Sequence, residues 1–157
     1  MLMNKKPILF LDHDGVICLS TEWGSRFKKE GLDGLFDRFN QKALNVLNDI
    51  IDETDCEIVI SSDWRFHATL SQMQQLYKER GIAKPPINYT KISDWVNNAE
   101  ETRVAEILDY VNKKNITKWV AVDDLDLSEL GNFVQTPRSS EGIKQIGVKE
   151  KIIKFLK

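Results

Sequence analysis

The sequence predicts an α/β fold, a parallel sheet covered by helices on both faces, and three observations predict it. Short apolar runs at residues 8–11, 57–60, 119–122 and, more weakly, 133–135 alternate with longer amphipathic stretches. Those stretches repeat their apolar residues at the three-and-four spacing of a helix face. The stronger runs end abruptly in polar residues: Asp12 after the first, Ser61 after the second, Asp123 after the third.

Taken in order, the first strand, Ile8 to Leu11, stops at Asp12-His13-Asp14-Gly15, where glycine lets the chain turn away. Residues 15–40 are the least regular part. They mix Gly24, Gly31 and Gly34 with Trp23, Phe27, Leu32, Leu35, Phe36 and Phe39. Loops at the carboxyl ends of parallel strands form the ligand crevice, so this segment is expected to be a small flap or minimal cap. Ala43, Leu44, Val46, Leu47, Ile50 and Ile51 then mark a helix, and residues 57–60 the second strand. Leu70, Met73, Leu76 and Tyr77 mark another helix, closed by Gly81 and by Pro85-Pro86. A further helix carries Val104, Ile107, Leu108 and Val111, with Asn98 as its N-cap and Glu100 and Glu101 near the positive end of its dipole. Trp119 to Val122 is the third strand and Phe133 to Gln135 the fourth. Val148, Ile152, Ile153 and Leu156 line a last helix.

At 157 residues and 41% hydrophobic content the chain is expected to fold as one domain over 1–157. Its 22 basic and 24 acidic residues give a net charge of -2, so no global field attracts nucleic acid, and a polyanion needs a local patch. Cys18, read in a turn, and Cys56, read in a strand, do not suggest a disulfide framework. The run after Lys5 and Lys6 is shorter than a signal-peptide core, and no stretch approaches a membrane span, which predicts a soluble cytoplasmic protein.

The chemistry gathers at the strand ends. In extended geometry residues two apart point the same way, so Asp12 and Asp14 can project into one site. Adjacent carboxylates repel unless a cation or shared proton absorbs the charge. Asp123 and Asp124, with Asp126 close behind, end the third strand and would meet them at the same rim if the strands are parallel neighbours. Such an oxygen-rich set suits Mg²⁺, held by carboxylates, by a backbone carbonyl such as that of Asp14, by waters and by a substrate phosphate oxygen. Ser61 and Ser62 end the second strand as hydroxyl donors, and Arg103 can reach over the rim with a charged fork suited to phosphate.

These pieces, in this order, resemble the haloacid dehalogenase (HAD) superfamily of phosphohydrolases, whose core is a Rossmann-like sheet: an aspartate pair, a serine or threonine, a lysine or arginine, then an acidic pair. The resemblance spans roughly the whole chain. It implies that Asp12 attacks phosphorus to form an aspartyl-phosphate, that Asp14 protonates the leaving oxygen and then activates water, that Ser61 holds the phosphoryl group, that Arg103 balances its charge, and that Asp12, Asp14, Asp123 and Asp124 hold Mg²⁺. Ser61-Ser62-Asp63-Trp64-Arg65 and the distal Gln135-Thr136-Pro137 and Gly142-Ile143 stretches look like the compact, capless members found with RNA-repair proteins and polynucleotide 3′-phosphatases. The third motif is arginine here where lysine is commoner.

The expected activity is thus a Mg²⁺-dependent phosphomonoesterase acting on a nucleotide or nucleic-acid phosphate end. The rival class is a non-catalytic phosphate-binding or interaction module, against which Asp14 counts, since binding alone needs no general acid. Candidate substrate contacts are Gly15, Ser62 and Arg65, with Arg138 beside them. The two arginines could equally be exposed loop cations. His13 should face away from the site and pack, and Trp23, Trp64, Trp95 and Trp119 are read mainly as packing residues, with Trp23 and Trp64 placed to stack on a base or sugar.

Overall fold

A computed structural model describes residues 5–19, 39–93, 97–137 and 139–157. Most of the expected flap, with Trp23, and also Trp95 and Arg138 lie outside the described residues.

The elements run β1 (Ile8–Leu11), α1 (Gln41–Thr54), β2 (Glu57–Ile60), α2 (Leu70–Glu79), β3 (Asn88–Tyr89), α3 (Ala99–Lys114), β4 (Trp119–Asp123), β5 (Phe133–Gln135) and α4 (Val148–Leu156). Single 3₁₀ turns follow β2 at Asp63–Phe66, follow β4 at Ser128–Leu130 and precede α4 at Gly142–Lys144. The five strands form one sheet in the order β3-β2-β1-β4-β5, every pair parallel. This is the Rossmann-like arrangement. β1 is its centre, with Leu11 opposite Ile60 of β2 on one side and Val122 of β4 on the other.

Alternation along the strands feeds two cores. Leu9, Leu11, Ile58, Ile60, Val120 and Val122 pack with α1, α2 and α4. Ile8, Phe10, Val59, Trp119 and Ala121 face α3 through Val104 and Ile107. With both faces covered, each central strand must be apolar throughout, which is why these runs show no polar alternation.

Helix ends follow local chemistry. Asn40 Oδ1 accepts from the Ala43 N–H to start α1, and Asn98 Oδ1 accepts from the Glu101 N–H to start α3. Three readings need correction. The two-residue β3 has no apolar run to announce it. Cys56 sits just before β2 rather than in it, and both cysteines are buried free thiols. Leu108, expected on the apolar stripe of α3, is exposed, while Thr102, Arg103 and Glu106 are buried beside Val104 and Ile107. That face of α3 meets the edge of the site, where burying charge has a purpose. No helix among the described residues is long and apolar enough to cross a membrane.

Candidate active site

The rim at the carboxyl ends of the strands is set by backbone pairing. The Asp12 N–H donates to Val122 O (3.1 Å), Ser61 N–H to Leu11 O (3.2 Å) and Thr136 N–H to Asp123 O (3.0 Å), so the residues ending β1, β2, β4 and β5 stand side by side. Beyond Asp12 the chain closes a tight loop. The His13 carbonyl accepts from the N–H groups of Val16, Ile17 and Cys18, and Gly15 N–H donates to Cys18 O.

Asp12, Asp123 and Asp124 converge, each offering one carboxylate oxygen within 4.8 Å of the others. Arg103 joins them from α3, at 2.5 Å from Asp123 Oδ2 and 3.5 Å from Asp12 Oδ1, while its other terminal nitrogen donates to Asp63 at 3.0 Å. Asp12, Asp123 and Arg103 are buried. Burial, then repulsion from Asp123, hold the Asp12 carboxyl well above its ordinary range, with Arg103 only partly offsetting them. Asp124 is pushed up to about 6, first by burial and then by Asp123. Burial works against the charge of Arg103, yet Asp12, Asp123 and Asp63 together keep it more firmly protonated than usual. Three carboxylates against one guanidinium leave an excess of negative charge. A hard divalent cation fits this all-oxygen donor set and is the species that would relieve the excess.

The Asp14 side chain is not in that cluster. Its Oδ1 accepts from the indole N–H of Trp64 at 3.3 Å. The metal role expected of Asp14 therefore stays with its backbone carbonyl, the group named for it from sequence. Of the two serines, Ser62 Oγ accepts from the Trp64 N–H (3.2 Å) and caps the turn after β2. The Ser61 side chain makes no hydrogen bond among the described residues, while Ser62 Oγ, used as an acceptor, still keeps its own proton to donate.

Gly15 and Arg65, expected as substrate contacts, are both engaged within the protein. The Gly15 N–H is used within its own loop, and its carbonyl accepts from Thr136 Oγ1 at 2.9 Å. Its role is steric: at φ +82° it lies so close to Asp124 that a Cβ would stand 2.3 Å from Oδ2. Arg65 is not an exposed cation. It is buried, with Nε on Ser62 O (2.8 Å), Nη1 on the Thr90 carbonyl and hydroxyl (2.9 and 2.6 Å) and Nη2 on Glu106 (3.0 Å). Four of its five N–H groups are thereby spent on holding the turn after β2 against α3 and the segment after β3.

His13 points away from the carboxylates, as strand alternation requires. Its Nε2 lies 2.6 Å from the Tyr77 hydroxyl, and burial, followed by the nearby Arg103 charge, lowers its pKa to about 3. Trp64 is buried against His13 and Phe39. It packs, and no face is open for a base. Arg103 opens the second turn of α3. Asp63, which pairs with Arg103, was not singled out for the site from sequence, and Trp64 was read as packing or stacking on a base rather than as the partner of Asp14. Their place immediately after Ser61 and Ser62, on the same rim, was the available signal.

A family model described as the HAD domain in Swiss Army Knife RNA repair proteins matches residues 8–145. The chain belongs to this family. The match runs from the first residue of β1 past the 3₁₀ turn before α4, so it takes in every strand and every site residue named above. No curated protein and no solved structure matched the chain. Membership supports a HAD-type phosphohydrolase in general, and such proteins generally use Mg²⁺.

Proposed function

We propose that this HAD domain is a Mg²⁺-dependent phosphomonoesterase that works through an aspartyl-phosphate on Asp12. The observation that carries the reading is the convergence of Asp12, Asp123 and Asp124 within 4.8 Å, with the Arg103 guanidinium 3.5 Å from Asp12. An acidic cluster that only capped a turn would not be buried beside a fixed cation at the carboxyl end of the central strand.

In this scheme an Asp12 carboxylate oxygen forms a bond to phosphorus while the ester P–O bond breaks. Asp14 gives its proton to the departing oxygen. Water then attacks phosphorus, Asp14 takes a proton from it, and the Asp12–phosphorus bond breaks to release inorganic phosphate. The Ser61 hydroxyl donates to a phosphoryl oxygen, and Arg103 offsets charge gathering on the transferring group. Asp12, Asp123, Asp124 and the Asp14 carbonyl would hold the Mg²⁺, which supplies neutralisation of phosphoryl charge. The favoured substrate is a nucleotide or a nucleic-acid phosphate end, in line with the RNA-repair context in the family's description.

The test is turnover of a chromogenic phosphoester and of 3′- and 5′-phosphorylated oligonucleotides, with Mg²⁺ or with chelator, by the wild type and by Asp12→Asn. Metal-dependent release of phosphate, lowered on the order of 10³-fold or more in Asp12→Asn, is expected. Absence of metal-dependent turnover on every ester would leave a phosphate-binding module instead.

A further inference from the structure

The aromatic residues beneath the Asp12–Asp14 loop form a bracket that the phosphatase chemistry does not by itself require. His13, between the two aspartates, is fixed from behind by Tyr77 at 2.6 Å. Trp64 packs edge-on to His13, ring centroids 4.5 Å apart, and stacks on Phe39 at 5.4 Å with an interplanar angle of 18°. Its backbone N–H is held by Ser62 Oγ, and its neighbour Arg65 is anchored to Thr90 and Glu106. The indole is therefore held at both ends, by stacking and by the backbone of the turn. From that fixed position its N–H reaches Asp14 Oδ1 at 3.3 Å.

We propose that Trp64 is a positioning residue for Asp14, holding Oδ1 as a hydrogen-bond acceptor so that the transferable proton is carried on Oδ2. This rests on Asp14 being the acid–base group. An indole N–H can only donate, so the oxygen it bonds cannot at the same time present a proton towards it. A carboxyl with two equivalent oxygens and free rotation offers its proton in the right direction only part of the time. One fixed donor removes that ambiguity and also keeps the side chain out of the Asp12, Asp123 and Asp124 cluster. The 3.3 Å separation is long for a ground-state bond, as catalytic contacts often are before substrate tightens them.

The test uses leaving groups. Expulsion of p-nitrophenolate needs little protonation, whereas expulsion of an alkoxide depends on the general acid, and kcat/KM reports the step that breaks the ester bond. Trp64→Phe keeps a ring against Phe39 and His13 but removes the donor. Its kcat/KM should fall about 10- to 100-fold on an alkyl phosphate and change less than about 3-fold on p-nitrophenyl phosphate, with Asp14→Asn showing the same selectivity more strongly. If Trp64→Phe folds poorly, Trp64→3-benzothienylalanine preserves the indole shape and replaces the N–H by sulfur. Selective loss in Asp14→Asn but equal or no loss in the folded Trp64 variant overturns the positioning role and leaves Asp14 as the acid. No selective loss in Asp14→Asn removes Asp14 from acid–base duty, and the role of Trp64 falls with it.

Discussion

Replacing Gly15 with alanine separates two effects that glycine combines at this turn. At φ +82° the backbone is left-handed, and an L-residue there costs about 1–2 kcal/mol. The added Cβ also meets Asp124 at 2.3 Å from Oδ2, 2.7 Å from Cγ and 2.9 Å from Cβ. Because the clash includes the Asp124 Cβ, rotation of the carboxylate alone does not relieve it. The whole side chain, or the turn at Gly15, must retreat by about 1 Å to reach ordinary carbon contact distance. If Asp124 holds Mg²⁺ as proposed, a shift of that size should weaken Mg²⁺ binding about 10- to 100-fold, as loss of a supporting contact does in other metal sites. Gly81→Ala is the control, since Gly81 has φ +78° with nothing within 4 Å and so registers backbone strain without the clash. The assay is a calorimetric Mg²⁺ titration with urea melts of wild type and both variants. A larger stability loss in Gly15→Ala than in Gly81→Ala, with Mg²⁺ affinity reduced only in Gly15→Ala, is expected. Wild-type affinity in a folded Gly15→Ala protein would refute the reasoning.

Two further outcomes follow from buried groups outside the carboxylate cluster. Arg65→Ala strands Glu106, whose other oxygen accepts from the Ser93 N–H at 2.8 Å, and should lower unfolding free energy by about 3–5 kcal/mol. A urea-denaturation loss below about 1 kcal/mol, the range of an exposed pair, would show that the arginine is not structural. His13 has a folded pKa of about 3 against 6.5 for the free group, so below pH 6.5 the unfolded chain binds a proton that the native one refuses. Stability linked to His13 is therefore present above pH 6.5, falls by about 1.4 kcal/mol per pH unit as pH drops towards 3, and levels off below that. Urea midpoints of wild type and His13→Gln between pH 7 and 4.5 should diverge, and parallel curves would refute it.

Much of the sheet was legible because a strand covered on both faces is a continuous apolar run, and β1, β2 and β4 read that way, with the short edge strand β5 a weaker case. β3 did not, since Asn88 and Tyr89 form a partly exposed edge held by pairing with Val59 and Ile60, a property of the partner rather than of the segment. At the site, residue types at strand ends brought Asp12, Ser61, Asp123 and Asp124 to view before any geometry, and Arg103 followed from the helix before β4. What stayed hidden was who touches whom. Arg65 looked like a loop cation because Glu106 and Thr90, its partners, are remote in sequence and give no local sign of pairing. Asp14 looked like a neighbour of Asp12 because alternation puts it on the same side, but the loop turns at once and its carboxylate accepts from Trp64. Leu108 looked buried because helical spacing marks apolar residues without saying how far around α3 the sheet extends.

The central place of β1 also orders the birth of the protein. As the chain emerges from the ribosome, β1 can pair with β2 early, but its other edge stays bare until β4 has been made, after three helices and two further strands among the described residues. Throughout that interval an apolar edge offers itself to any passing strand, and Asp12 lacks its neighbours Asp123 and Asp124. A nascent or truncated chain is thus exposed to mispairing and short of a complete site at the same moment, and the docking of one late strand ends both conditions.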